Sequence, residues 1–390
     1  MPIDCQSRIA QRVQQLQPSP IRRFFGLVES MPDAISLSIG EPDFVTPWRV
    51  REAGIFSVEK GYTQYTHNLG IINLRREIAA YLARRFNLEY NPDNEIMVTV
   101  GVSEGLDLAM RTLVNDGEKV VIPQPSYVAY PATVELAGGI PVCIPTYVDD
   151  RFQLTAEAFE RAVVESGATV ALIGYPNNPT GAILPRERLE ALAEIARRRD
   201  LLMISDEVYL ELTYGQTPVS FPSLPGMRER TVLLSGFSKA FAMTGWRLGY
   251  VAAPAEIIEA MNKVHQYTCM CAPHLAQRAA VEALQRGEDD VEQMRNDYDQ
   301  RRRVIVNRLN AMGLPCFEPE GAFYAFPCIK STGLTSIEFA ERLLMEEKVA
   351  VVHGNAFGEC GEGYIRCSYA TALPKIEEAM RRMQRFLGSL

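Results

Sequence analysis

Polar side chains of types used in catalysis end or follow four apolar runs of the sequence. The runs are EIMVTV (95–100), TVALIGY (169–175), LLMIS (201–205) and TVLLSG (231–236). The polar residues are Ser103, Glu104, Asn178, Asp206, Tyr209, Ser235, Ser238, Lys239 and Arg247. Near-continuous hydrophobicity predicts strands of a parallel sheet covered on both faces. Ligands of such sheets bind beyond the carboxyl ends of the strands, so we expect these side chains to meet at one edge.

The set contains the groups that a pyridine aldehyde bearing a phosphate requires. Lys239 can hold the carbonyl group through its amine. Asp206 can stabilise positive charge on the pyridine nitrogen, which draws electrons only when it is protonated. Asn178 and Tyr209 can hydrogen-bond to the ring's phenolate oxygen, and Tyr127, just past another strand, can stack on the ring. These residue types predict a site for pyridoxal 5′-phosphate.

The phosphate group of this cofactor requires a helix N-terminus and a cation. Ser103 and Glu104 are predicted to begin such a helix, where Glu104 contributes a backbone N–H and a favourable charge rather than a side-chain contact. Arg247 is the predicted cation, and Ser235 and Ser238 are predicted as further donors.

The elements that position these residues alternate between strands and helices. Further strands are predicted at KVVIP (119–123) and LGYVAA (248–253). A helix is predicted at 186–200, where Leu189, Leu192 and Ile195 or Ala196 recur at helical spacing. The alternation predicts an α/β fold, with a three-layer, mostly parallel sheet and helices on both faces.

The character of the sequence changes after about residue 280, where a charged helical run (289–312) precedes short strands and loops rich in Gly and Pro. These features predict a smaller α+β domain. No repeat or Gly/Ser linker separates the parts, so the domains should interleave. We predict a large cofactor-binding domain at 46–285 and a small domain formed by 1–45 and 286–390.

Composition narrows the class of protein. The chain has 390 residues, of which 47% are apolar and 23% charged, as in a soluble globular protein. Its net charge of −8 argues against a nucleic-acid partner. No apolar run approaches the length of a membrane span, and the first residues lack the apolar core of a secretory signal, so we expect a cytoplasmic protein without membrane contact.

The eight cysteines are scattered and do not indicate a disulfide framework. The segment HQYTCMCAPH (265–274) contains metal-ligand types, but its CxC spacing is not that of a usual zinc knuckle and no second pair follows. We therefore expect no metal site, and instead buried thiols and histidines packed against other rings.

Seven motifs in order along nearly the whole chain resemble the class I pyridoxal-phosphate aminotransferases (fold type I, aspartate aminotransferase superfamily). The motifs are GEPDF (40–44), YTQYTHNLGIINLR (62–75), GVSEGLDLA (101–109), PNNPTG (176–181), SDEVY (205–209), GFSKAFAMTGWRLGY (236–250) and GYIRCSYA (363–370).

The resemblance implies roles for residues in these motifs. Lys239 would hold the cofactor as a Schiff base and move the substrate's α-proton. Arg366 would bind the substrate α-carboxylate in a bidentate fork, with Asn178 and the backbone of Gly40 beside it. Tyr65 resembles the tyrosine that reaches across a dimer interface to the neighbour's phosphate, which implies a homodimer with composite active sites.

The implied activity is transfer of an amino group from an L-amino acid to a 2-oxo acid, with 2-oxoglutarate as the expected acceptor and ping-pong kinetics. β-Elimination on the same scaffold is the alternative, because the cofactor fixes a carbanion whose fate depends on other groups. A ligand-sensing module lacks the expected basic DNA-binding extension. A dinucleotide enzyme lacks GxGxxG after the early strands.

The amino donor is less well defined. Aspartate-preferring relatives often carry a lysine where Ser103 stands, so the GVSEGLD form favours the branch with aromatic, alanine-type and N-acetyl-diaminopimelate aminotransferases. Phe24, Phe25 and Ile39 are predicted to supply an apolar pocket for the donor's side chain.

Overall fold

The computed structural model describes residues 3–16, 18, 31 and 33–390. Strands are numbered along the chain: β1 (Ile35–Ser36), β2 (Ile96–Thr99), β3 (Lys119–Gln124), β4 (Ile140–Pro145), β5 (Val170–Gly174), β6 (Leu202–Asp206), β7 (Thr231–Gly236), β8 (Gly249–Ala252), β9 (Tyr324–Ala325), β10 (Val349–Ala350), β11 (Val352–His353) and β12 (Ile365–Ser368).

The helices of the same residues are numbered likewise: α1 (Gln11–Gln15), α2 (Trp48–Glu59), α3 (Ile72–Phe86), α4 (Gly101–Leu113), α5 (Ala129–Leu136), α6 (Ala156–Ser166), α7 (Arg186–Arg198), α8 (Ala255–Thr268), α9 (His274–Arg286), α10 (Glu288–Ala311), α11 (Ser336–Glu347) and α12 (Leu373–Gly388). The predicted helix at 186–200 is confirmed as α7, and its four predicted apolar positions are buried.

The main sheet has the strand order β2-β8-β7-β6-β5-β3-β4. Strands β3 to β7 run parallel, whereas β8 is antiparallel to both of its neighbours, β7 and β2. Gly236 at the end of β7 pairs with Gly249 at the start of β8, so residues 237–248 form one closed connection. The predicted mostly parallel sheet is confirmed, with β8 as its antiparallel member.

Both faces of the sheet are covered, which explains the continuous apolar runs. In β5, Val170 and Leu172 join the core beneath α4, α5 and α8, while Ala171 and Ile173 join the core beneath α6 and α7. Successive side chains of a strand point to opposite faces, so a strand buried on both sides needs apolar residues at every position.

Strand β4 was absent from the sequence prediction. It lies at the edge of the sheet, and most of its residues are exposed or half-buried. It also contains Pro141 and Pro145, a residue type that edge strands tolerate because one side of the strand needs no N–H donors. The strand therefore lacked the continuous apolar signal of its neighbours.

The segment before residue 46 meets the C-terminal part of the chain. Strand β1 pairs in parallel with β10, and β9, β11 and β12 form a separate antiparallel sheet. Leu37 belongs to the same apolar core as residues of α10, α11 and α12. The domain boundaries at 46 and 285 stay a prediction, which this pairing supports.

The next two features concern membrane-spanning helices and the cysteine- and histidine-containing segment 265–274. None of their helices is both long and apolar enough to cross a membrane, and they contain no group of three His, Cys, Asp or Glu side chains placed to hold a metal ion. In the 265–274 segment, His265 is buried and the ring of His274 lies 5.4 Å from that of Tyr62. The expectation of buried thiols is wrong for this segment: Cys269, at the end of α8, is exposed, and Cys271 is only half-buried.

We expect Phe159→Ala to lower the free energy of unfolding by about 3–5 kcal/mol, because its ring is fully buried beneath α6 and truncation leaves a cavity. Val164→Ala on the same helix is the matched control. That side chain is 54% exposed, so its loss should change the free energy by less than about 0.5 kcal/mol. Chemical denaturation measures both, and equal losses would contradict the packing described for this face.

Candidate active site

An open cavity of about 630 Å³ lies at the carboxyl ends of the parallel strands. Eleven residues predicted from the sequence line it: Ile39, Gly40, Ser103, Tyr127, Asn178, Asp206, Tyr209, Ser238, Lys239, Arg247 and Arg366. The convergence follows from the parallel topology, which carries the ends of β5, β6 and β7 to one edge.

Lys239 lies in the connection after β7, with its amine inside the cavity. Its Nζ donates a hydrogen bond of 2.6 Å to the carbonyl oxygen of Gly40 and lies 5.7 Å from the ring centre of Tyr209. Burial lowers the pKa of Lys239 to about 8; Glu41 opposes this shift, and the positive charge of Arg366 adds to it. The neutral, nucleophilic form of the amine is therefore far more populated near physiological pH than in an ordinary lysine.

Asp206 ends β6 and is buried in the cavity wall. Tyr130 donates a hydrogen bond of 2.8 Å to Oδ2, and the backbone N–H of Val208 donates one of 3.2 Å to Oδ1. Burial raises the pKa of Asp206, and the hydrogen bond from Tyr130 counteracts this. A buried carboxylate of this kind suits the protonated nitrogen of a pyridine ring.

Arg366 lies on β12 and is almost fully buried. Its Nη1 donates to Oδ1 of Asn178 at 2.8 Å, and its Nη2 donates to the carbonyl oxygen of Ser38 at 2.6 Å. Its Nε has no hydrogen-bond partner among the described residues. A buried donor left over in this way fits a carboxylate ligand, because an unpaired buried polar group is costly.

Another part of the cavity wall combines a helix N-terminus with a cation. Helix α4 begins at Gly101, whose φ is +75°, and Val102 and Ser103 line the cavity. A Cβ atom at Gly101 would lie 2.6 Å from Nη2 of Arg247, so the guanidinium lies directly against the start of the helix. Unpaired N–H groups of a first turn together with an arginine form a phosphate site.

The side chain of Glu104 turns away from the cavity. One oxygen accepts a hydrogen bond from the backbone N–H of Val100, and the other lies 2.8 Å from Nδ1 of His265 on α8. Burial would raise the pKa of Glu104, but these hydrogen bonds outweigh burial and lower it. The carboxylate thus fixes the first turn of α4 without lining the cavity.

Ser235 is not brought to the cavity, so its prediction as a phosphate donor is wrong. Its side chain lines a separate, smaller cavity beside Tyr250 and hydrogen-bonds to that phenol. Strand alternation explains the error, because neighbouring residues of β7 point to opposite faces. Ser238, beyond the end of the strand, does line the main cavity.

Tyr65 lies outside the cavity and is 78% exposed. Its role toward a second subunit stays a prediction.

Of the predicted donor pocket, Ile39 lines the cavity, whereas Phe24 and Phe25 lie outside the described residues.

Two tyrosines of the site were not predicted from the sequence. Tyr130 holds Asp206, and the hydroxyl of Tyr324 lies 2.6 Å from that of Tyr209. A usable signal existed for Tyr130, which stands three residues after Tyr127 in PSYVAY and so on the same side of a helical turn. Tyr324 belongs to the aromatic run GAFYAF, which has the composition of an ordinary core.

The donor set fits pyridoxal phosphate at each of its functional groups, with an amine, a buried carboxylate and a cationic helix N-terminus in one cavity. Residues 32–383 match the sequence profile of the family described as aminotransferase class I and II. The chain belongs to this family. This aminotransferase is therefore a pyridoxal-phosphate-dependent enzyme, as its motifs implied.

Known proteins resemble this aminotransferase over nearly their whole length. YugH of Bacillus subtilis, provisionally named as an aminotransferase, is 56% identical over 381 residues, which is 98% of each chain. An aspartate aminotransferase of Pyrococcus abyssi is 48% identical and covers 97% of this chain and 98% of its own. The crystal structure of an aromatic aminotransferase from Pyrococcus horikoshii superposes with a TM-score of 0.90 at 47% identity, over 94% of this chain and 99% of that chain.

We expect Gly101→Ala to weaken binding of pyridoxal phosphate by about tenfold or more, because the added Cβ displaces the Arg247 guanidinium from the helix start. Gly117→Ala is the matched control. Gly117 also has a positive φ of +79°, but a Cβ there meets open space. Titration of the apoprotein with the cofactor measures both affinities. Equal losses in the two variants would show that backbone strain, rather than displacement of Arg247, is the cause.

Proposed function

We propose that this aminotransferase moves an amino group from an L-amino acid to a 2-oxo acid through Lys239, with 2-oxoglutarate as the acceptor. The observation that carries the proposal is the buried amine of Lys239, whose pKa is lowered to about 8 and whose cavity also contains Asp206 and Arg366. An amine that is partly neutral can both hold a carbonyl group and accept a proton at neutral pH.

The chain's residues divide the binding of cofactor and substrate among them. When bound, pyridoxal phosphate withdraws electrons from the substrate's α-carbon. Asp206 stabilises the positive charge on the ring nitrogen, and Arg247 with the start of α4 binds the phosphate. Lys239 would hold the cofactor through its amine and, once released, would accept the proton from the substrate's α-carbon and deliver it to C4′ of the cofactor.

Asn178 serves both ligands at once. Its Oδ1 already accepts a hydrogen bond from Arg366, so the amide NH₂ is directed elsewhere and can donate to the ring oxygen beside Tyr209. Arg366, which lines the same cavity, is in turn the cation proposed for the α-carboxylate of the substrate. The position of the substrate is thereby linked to that of the ring.

Ping-pong kinetics follow from this arrangement. Amino donor and oxo-acid acceptor carry the same α-carboxylate, and Arg366 is the cation proposed for it, so the two substrates must occupy the site in turn. Two of the relatives named above are an aspartate aminotransferase and an aromatic aminotransferase, so aspartate and aromatic amino acids are the first donors to assay. The relatives named above carry the names of aminotransferases, which does not favour β-elimination.

We also propose a homodimer with composite active sites. Exposed apolar side chains on α2 and near Tyr65 support it: Trp48, Ile55, Phe56, Val58, Tyr65, Tyr267 and Met270. The backbone N–H of Thr66 lies 3.5 Å from Sγ of Cys271, so the Tyr65 segment adjoins the exposed end of α8. Exposed apolar surface of this extent is typical of an interface between subunits.

We expect Lys239→Ala to lose covalent capture of the cofactor and to slow transamination by about 10²–10⁴-fold, because the base at the α-carbon is removed. Borohydride reduction followed by mass measurement detects capture.

Loaded wild-type protein given one amino acid, without an oxo acid, should release about one oxo acid per site. The rate of capture should rise roughly fivefold from pH 7 to 8, as the neutral fraction of an amine with a pKa near 8 increases.

Lys263→Ala on α8 is the control, since that side chain is 68% exposed and lies outside the cavity. Near wild-type transamination by Lys239→Ala would refute the assignment. Continued release of ammonia from the wild-type enzyme without an acceptor would refute amino transfer while leaving the cofactor site intact.

We expect hybrid dimers to separate the contributions of the two subunits. A chain with Tyr65→Ala paired with a chain carrying Lys239→Ala rebuilds one complete site if Tyr65 acts in the neighbouring subunit. At limiting cofactor, the purified hybrid should then have about half the activity of a wild-type dimer, far above either parent. A hybrid no more active than the mean of its parents would place Tyr65 in its own subunit's site or outside catalysis.

A further inference from the structure

Tyr324 is a buried residue of the cavity. It lies outside the seven family motifs, so the resemblance implied no role for it. It lies on β9, pairs with Ser368 of β12 and is 1% exposed. Its hydroxyl and its ring contact two different groups of the site. The hydroxyl lies 2.6 Å from that of Tyr209, and the ring centre lies 4.5 Å from Cζ of Arg366.

The hydroxyl contact constrains the direction of hydrogen bonding. A phenol carries one proton, so Tyr209 cannot donate to both Tyr324 and the ring oxygen of the cofactor. When Tyr209 donates to the ring oxygen, Tyr324 must be the donor in the 2.6 Å bond. Burial raises the pKa of both phenols, so both keep their protons at neutral pH. The two hydroxyls then form a chain in which each bond strengthens the next.

The ring contact acts on the substrate side. The guanidinium of Arg366 lies 4.5 Å from the ring centre of Tyr324 and 5.0 Å from that of Phe357. Such contacts attract the cation without using any of its N–H donors. The ring of Tyr324 therefore helps to hold Arg366 in place without taking up its donors.

The backbone beside Tyr324 is fitted to this side chain. A Cβ atom at Gly40 would overlap the Tyr324 hydroxyl, and the carbonyl of the same glycine accepts the hydrogen bond from Lys239. The hydroxyl is thus confined between Gly40 and Tyr209.

We propose that Tyr324 is a positioning residue with two separable effects. Its hydroxyl orients Tyr209 toward the ring oxygen of the cofactor, and its ring positions Arg366 for the substrate carboxylate. The inference rests on the proposed function, because it acts through the roles given there to Tyr209 and Arg366.

Three variants separate these effects. Tyr324→Phe removes the hydroxyl and keeps the ring, whereas Tyr324→Leu removes both. Tyr298→Phe is the matched control, because Tyr298 is buried in the same core and its hydroxyl has no hydrogen-bond partner within the described chain. The readouts on the cofactor-loaded protein are the pH midpoint of its visible absorbance change, and the separate kcat and KM for the amino donor.

We expect Tyr324→Phe to raise the spectroscopic midpoint by about 0.5–1 pH unit, because a weaker donor at Tyr209 leaves the negative ring oxygen less stabilised. Its donor KM should change less than about twofold, since the ring remains beneath Arg366. Tyr324→Leu should show the same midpoint shift and a KM raised roughly fivefold or more. Tyr298→Phe should match the wild type in both.

A midpoint in Tyr324→Phe equal to those of the wild type and Tyr298→Phe would overturn the hydroxyl effect. An equal rise of KM in the Phe and Leu variants would overturn the ring effect. Failure of the wild-type protein to acquire a visible band on loading would overturn the proposed role of Lys239 together with this inference. That failure can be told apart from the other two outcomes, because it shows in the wild-type protein before any variant is measured.

Discussion

Removal of charged groups from water is the constraint on which this site depends. Asp206 and Arg366 are nearly inaccessible, and the amine of Lys239 lies among their side chains. Each buried charge needs compensating contacts. Tyr130 and the Val208 N–H supply them to Asp206, Asn178 and the Ser38 carbonyl to Arg366, and the Gly40 carbonyl to Lys239. Arg366 lies on β12 while Asn178 follows β5, so this compensation also ties the small sheet to the large one.

The sheet lets two adjacent carboxylates perform different tasks. Asp206 faces the cavity, whereas Glu207 accepts hydrogen bonds from Ser205, Ser220 and the backbone N–H of Phe221 on the other side. Burial raises the pKa of Glu207 to about 7, and these donors partly offset that rise. Glu207 anchors the loop behind the sheet, and Asp206 is left free for the ligand. Sequence proximity alone could not separate the two roles.

The sequence predicted the large sheet and most of the cavity because both signals are local. Continuous apolar runs marked the buried strands, and a polar residue at the end of each run, such as Asp206, marked the shared edge. Contacts between residues that are far apart in the chain could not be predicted from the sequence. The contact of Glu104 with His265 joins residues 161 positions apart, and Tyr324 stands on a two-residue strand inside an aromatic run. Ser235 was misplaced because a strand's polar end does not reveal which face each residue takes.

The antiparallel pairing of β8 with β7 restricts the size of the ligands that the site can hold. The paired glycines Gly236 and Gly249 close the connection 237–248, and this one loop carries both Lys239 and Arg247. The distance between the group that captures a carbonyl and the group that binds a phosphate is thus set by a loop of fixed length. Aldehydes without a phosphate, or with a longer arm between carbonyl and phosphate, can engage one end of the loop but not both. Insertions are tolerable in the helical crossovers of the sheet, whereas a change of length here would alter the size of molecule that the protein retains.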